Sequence, residues 1–179
     1  MRIEGRFWIG ILTVVLLLAV MGSAHAQQTS SQDLTRRFEL GANLGFSGGT
    51  IDGTALAIAI NGDYLATPHI AVGPLIQFGL TEDLFQIGVS LQAKFFLDLP
   101  DTPQLKPHLQ IGVGFIHADF GNTFDDTSWL IPIGMGVEFR VDKNLYLDST
   151  LLLNLTDLNI PGASDDLHVT WFVGLRFLL

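Results

Sequence analysis

The sequence contains no cysteine, which excludes disulfides and any lipid anchor attached through a cysteine. Long apolar runs are missing beyond residue 26. Every later apolar stretch is broken by Gly, Asn, Gln or a charge, so nothing approaches the roughly 20 residues that a spanning helix needs. Basic residues are scarce: 9 Lys and Arg face 18 Asp and Glu, a formal charge of −9. That balance argues against nucleic acid as a partner. Mean hydropathy is nevertheless +0.41, high for a water-soluble chain. An apolar chain without spanning helices has one membrane solution left, because hydrocarbon leaves no backbone group unpaired except in helices and closed barrels.

The first 26 residues read as an export signal. Arg2 and Arg6 form a positive start, Phe7 to Val20 is an apolar run broken only by Gly10 and Thr13, and Ala24 and Ala26 supply the small residues of a cleavage site. Cleavage after Ala26 leaves 153 residues with 7 basic and 17 acidic side chains, a formal charge of −10 and enough chain for one domain. Residues 27–35 are polar and read as a flexible segment, and 36–179 carry the fold.

Period-two alternation dominates that region. Val169, Trp171, Val173, Leu175, Phe177 and Leu179 share one face, opposite His168, Thr170, Phe172, Gly174, Arg176 and Leu178. The same pattern starts at Ser128 and at Phe85. It predicts eight strands over 36–46, 54–65, 69–80, 84–98, 105–117, 127–141, 144–156 and 167–179, an even number of suitable length for an antiparallel up-and-down transmembrane β-barrel. Turn residues fall between them, at Ser47 to Gly49, Ala66 to Pro68, Pro100 to Pro103, Asp142 to Asn144, and Pro161 and Gly162.

A soluble barrel would alternate too, with its apolar row inside. The less apolar row here is rich in Gly, Ala, Gln and Asn rather than in Lys and Glu, and its few charges nearly balance. Aromatics on the apolar row fall at strand ends and predict two girdles. One contains Phe38, Tyr64, Phe95, Phe139 and Phe177; the other contains Phe46, Phe78, Phe85, Phe115, Trp129 and Trp171. The ten-residue spacings from Phe85 to Phe95 and from Trp129 to Phe139 correspond to about 25 Å of rise in a tilted strand, the height of the apolar band.

With those residues placed, 36–179 resembles the outer-membrane β-barrel domain family of small OmpA/OmpX-like barrels. The segment Gly62 to Gly73 is similar to that family's tyrosine, short turn, alternating strand and glycine. Lys106 to Phe115 is similar to its Lys-Pro-aromatic and Gly-x-Gly strand, and Gly134 to Leu147 to its penultimate hairpin. The last strand resembles the terminal signal read by the barrel-assembly machinery, but ends in Leu179 where many relatives end in Phe. The resemblance implies a Gram-negative outer membrane, with lipid and lipopolysaccharide as surroundings, the assembly machinery as a transient partner and a monomeric state. It does not transfer an activity, because the family hosts many roles.

Three constellations bear on chemistry. Inward-facing Glu39, Glu138 and Asp148 can pair with Arg37, Lys94, Arg140 and Arg176 as a structural ion network filling the lumen, a reading favoured over a gated path for small solutes. Segments 47–53, 81–83, 118–126 and 157–166 are read as outer loops. They carry Asp52, Glu82, Asp83, Asp119, Asp125, Asp126, Asp157, Asp165 and Asp166 without Lys or Arg, and lack the ligand spacing of a calcium loop, so a solvated acidic surface is expected. His117, near Ser128 and Asp119, and His168, near Thr170, lack a nucleophile–base motif and read as interfacial anchors. The expectation is therefore a structural or surface-interaction barrel, with no catalytic residues, cofactor or metal. A narrow channel for small or apolar solutes is the alternative, and a lipid A-modifying enzyme trails both.

Overall fold

The computed structural model describes residues 37–50, 52–120, 124–160 and 163–179; the expected signal segment, residues 1–26, and the expected flexible segment, residues 27–35, lie outside the described residues. Eight strands follow in order: β1 (Phe38–Thr50), β2 (Gly53–Thr67), β3 (Ile70–Leu80), β4 (Leu84–Phe96), β5 (Leu105–Phe120), β6 (Phe124–Arg140), β7 (Leu145–Ile160) and β8 (Ala163–Leu178). Each pairs antiparallel with its neighbours in sequence, and β8 closes on β1 from Glu39↔Leu178 to Gly48↔Val169. Closure satisfies the backbone of both would-be edge strands, the condition for crossing hydrocarbon without helices. No helix among the described residues is long and apolar enough to cross a membrane.

The strand count agrees with the alternation, but the strands run farther than the loop chemistry predicts. Segments 118–126 and 157–166, expected as loops, are largely strand, with Ala118↔Asp126, Asp119↔Asp125 and Leu158↔Asp165 in register. Beyond the membrane both faces of a hairpin meet water, so the apolar alternation fades while backbone pairing continues. The β1–β2 connection shrinks to a tight turn in which Gly49 and Gly53 adopt φ of 84° and 86°, left-handed values that favour glycine. In the β3–β4 turn, the Thr81 hydroxyl accepts from the Leu84 amide at 2.9 Å and donates to Asp52 of the neighbouring turn.

The side-chain rows face as a membrane barrel requires. Leu40, Leu44, Ile60, Leu91, Val113, Phe115 and Met135 are among the exposed outward residues, whereas Asn43, Asn61, Gln77, Gln92 and Gln110 are buried in the lumen. The lumen is layered. At the end carrying residues 37 and 179, the terminal end, Leu65, Ala71, Phe96, Tyr146 and Leu178 pack together. Ala57, Ala59, Leu75, Leu152 and Phe172 form a middle cluster, and Leu84, Ile116, Ala118, Leu130 and Leu158 close the far end. Polar layers lie between these apolar ones.

Candidate functional site

The most elaborate chemistry lies in the polar layer between the terminal-end cluster and the middle cluster. Period-two alternation brings one or two charges inward from each of several strands: Glu39 from β1, Asp63 from β2, Lys94 from β4, Glu138 from β6, Asp148 from β7 and Arg176 from β8, each no more than 2% exposed. Arg176 is the hub. Its Nη1 donates to Asp63 Oδ2 at 2.8 Å and its Nη2 to Asp148 Oδ2 at 3.1 Å, while its Nε lies 3.1 Å from Glu138 Oε1. Lys94 Nζ donates to the same Asp63 oxygen at 2.5 Å, and Asn61 adds a third donor at 2.7 Å. A planar guanidinium on a packed strand suits this task, because its fork presents several donors in fixed directions.

The other expected members stand apart. Arg140 is half-buried with its guanidinium over the Tyr146 ring, 5.5 Å from the centroid, and Arg37 is half-buried at the rim. Neither forms an ion pair among the described residues. Glu39 Oε2 is buried without a hydrogen-bond partner there. Sequence reasoning missed Asp63 by reading Gly62-Asp-Tyr64 as a hairpin phrase. The inward parity of Ala55, Ala57, Ala59 and Asn61 was the signal that places it in the lumen.

His108 was also missed. It is 1% exposed, stacks at 5.6 Å from Phe96 in a tilted arrangement, and its Nε2 lies 3.3 Å from the Thr150 hydroxyl, which donates to Asp148. Its ring occupies the space that a side chain at Gly136 would need: a Cβ there would meet His108 Cε1 at 2.6 Å. Glycine at 136 therefore positions the imidazole.

The layer above is neutral. Gln77 donates to Asn154, Asn154 donates to Thr170, and Thr170 shares a hydrogen bond with Ser47, at 3.1, 3.0 and 2.9 Å. This string crosses the lumen from β3 through β7 and β8 to β1. Three interior cavities among the described residues hold about 10 Å³ each, room for about one water molecule.

The eleven girdle residues all lie on the outward row. Phe38 and Tyr64 are register partners with ring centroids 5.1 Å apart, Phe46 lies opposite Trp171, and Phe115 lies opposite Trp129. Trp171 donates its indole N–H to Ser149 at 3.1 Å, which provides both outward polar groups with a partner. His117 bonds Thr127 across β5 and β6 at 2.8 Å rather than Ser128, whose hydroxyl accepts from the Asp157 amide. The acidic residues of the far end stay at the surface: Asp52, Glu82, Asp83, Asp119, Asp125, Asp157 and Asp166 are exposed.

An apolar outer band, a closed eight-stranded antiparallel sheet and a filled, layered lumen define a transmembrane-type β-barrel. Solved structures agree at the level of fold. The chain is similar to Neisserial surface protein A (16% identity, 79% of this chain and 95% of that one, TM-score 0.61). It is also similar to the outer membrane protein OprG from Pseudomonas aeruginosa (10% identity, 81% and 96%, TM-score 0.58) and to Ail, the attachment invasion locus protein of Yersinia pestis (14% identity, 80% and 97%, TM-score 0.53). No protein-family model matches the chain, and no curated protein does.

Proposed function

We propose that this chain is an integral outer-membrane barrel of the OmpA/OmpX-like kind with a structural or surface-interaction role, exported by residues 1–26, and not an enzyme. The observation that carries this reading is the sealed lumen. Among the described residues apolar clusters close both ends, ion pairs and amide bonds fill the space between, and three interior cavities there each have room for about one water. A pore would have to displace Leu130 and Leu158 at one end and Phe96 and Tyr146 at the other, and break the Arg176 pairs between. The surface left for partners is the acidic far end, where β5–β8 stand tallest. Similar barrels bearing the names surface protein and attachment invasion protein are consistent with that assignment without specifying a ligand.

Planar-bilayer recording tests the reading. The purified barrel is expected to give no sustained, reproducible conductance steps. Sustained steps of one size would replace this reading with the narrow-channel alternative. The His117–Thr127 pair lies at the outer girdle and is read as an interfacial anchor; lipid A mass spectra are expected to be identical with and without expression.

A further inference from the structure

The terminal-end lumen holds more carboxyl groups than buried cations. Glu39, Asp63, Glu138 and Asp148 share this dry, sheet-enclosed layer with Lys94 and Arg176 as its buried cations. Lys106, Arg37 and Arg140 stand half-buried at the rim, and none forms an ion pair with these carboxylates among the described residues. Burial of a carboxyl group in such surroundings favours a proton or a bound cation over a bare charge, and a cation is held where donor atoms converge.

They converge at one place. His108, Glu138 and Asp148 each offer a ligand atom, and those atoms lie within 4.8 Å of one another. Glu138 and Asp148 are direct register partners on β6 and β7, so their two carboxyl groups project side by side into the lumen. Glu138 Oε1 contacts the Arg176 Nε without hydrogen-bond geometry, and His108 Nδ1 has no hydrogen-bond partner, although both side chains are at most 2% exposed. A small cavity lined by Glu39, Glu138, Lys106 and Tyr146 reaches this layer from the terminal end, with exposed Pro68 at its edge.

We propose that His108, Glu138 and Asp148 form a buried site for one divalent cation of the zinc type, which staples β5, β6 and β7 together. One imidazole and two carboxylates suit zinc better than the all-oxygen shells of calcium and magnesium. Metal–ligand bonds of about 2.0–2.2 Å set ligand atoms roughly 3.3 Å apart, so side-chain rotation must draw the set inward by at most about 1.5 Å. Arg176 keeps its contacts, because a carboxylate has lone pairs to spare beyond those that a guanidinium takes.

The test uses the full barrel purified in detergent, stripped with a chelator and reloaded with zinc alone. About one zinc per chain should survive gel filtration, and the thermal unfolding midpoint should rise by several degrees, as for any ligand that binds only the folded state. His108→Gln removes a ligand without removing a charge, so the barrel is expected to fold, as read by its unboiled gel mobility, and to bind zinc at least about tenfold more weakly. The paired surface variant Asp125→Asn and Asp126→Asn should bind as the unaltered chain does. Zinc content below about 0.1 per chain, or equal binding by His108→Gln, overturns the site, the second outcome assigning bound ions to the acidic surface. Stoichiometric calcium or magnesium without zinc also overturns it.

Discussion

The two halves of the lumen do the same job with different physics. Near the terminal end, charges from six strands meet around Arg176, and the layer is held by ion pairs of 2.5–3.1 Å. Toward the far end the filling changes from charges to amides and hydroxyls. Amides and hydroxyls form a neutral string from Gln77 to Ser47, capped by Leu84, Ile116, Leu130 and Leu158. Both halves exclude water, but they fail differently. A neutral layer that loses one member opens a small cavity or leaves one dipole unpaired. A charged layer that loses its hub leaves several carboxylates facing one another without compensation. The difference predicts a hierarchy of mutational effects along the barrel axis.

The largest effect belongs to Arg176→Ala. It strands Asp63, Glu138 and Asp148 together, and breaking a buried ion pair by removing one partner costs about 3–5 kcal/mol. The denaturant midpoint of the folded barrel in micelles should fall accordingly, and Arg140→Ala should cost clearly less because Arg140 stacks on Tyr146 instead of joining the carboxylates. Equal losses would show that the two arginines share the network after all. Next comes Leu130→Ala in the far-end plug, fully buried among Leu84, Ile116 and Leu158, with an expected loss of about 2–4 kcal/mol. That variant should still not conduct, because the charged layer below continues to fill the lumen. Conductance steps in Leu130→Ala alone would show that the far-end plug is the barrel's only seal. Asn154→Ala follows at about 1–3 kcal/mol, since it leaves both Gln77 and Thr170 short of a partner, read in the same unfolding assay.

The architecture was legible because a membrane barrel writes its pattern redundantly. Each strand repeats the same parity, so an error of two or three residues at one end leaves the count of eight and the direction of every side chain intact. Strand ends were less legible, for the reason seen at Asp119↔Asp125: paired backbone above the hydrocarbon carries polar residues on both faces and looks like loop. The lumen was legible in kind and not in detail. Parity alone puts Lys94, Glu138, Asp148 and Arg176 inside. It does not say which of them meet, because contacts across the lumen depend on how far each strand is staggered around the barrel. Arg140 illustrates the limit, since its inward parity is the same as that of Glu138 two residues away, yet it lies over an aromatic ring near the rim. Asp63 and His108 were hidden by local phrasing that resembled a turn and a strand start, where a strict reading of alternation would have included both.

The smallest effect should carry the opposite sign. Asp119 and Asp125 lie directly opposite each other on β5 and β6, both exposed, with Asp126 beside them and no Lys or Arg in segment 118–126. Like charges facing across a strand pair destabilise it modestly, and water and salt screen most of the repulsion. Asp119→Asn or Asp125→Asn should therefore leave stability unchanged or raise it by a few tenths of a kcal/mol, with the gain shrinking as salt is added. Removing a carboxylate from the lumen does the reverse: Asp63→Asn takes away the negative charge shared by Lys94 and Arg176 and lowers stability at every salt concentration. The same chemical change thus has opposite signs at two heights of one barrel. Unfolding midpoints of Asp125→Asn and Asp63→Asn, measured at low and high salt, check this. A salt-independent loss in Asp125→Asn would mean that the far-end carboxylates are engaged in bonding rather than offered to the medium.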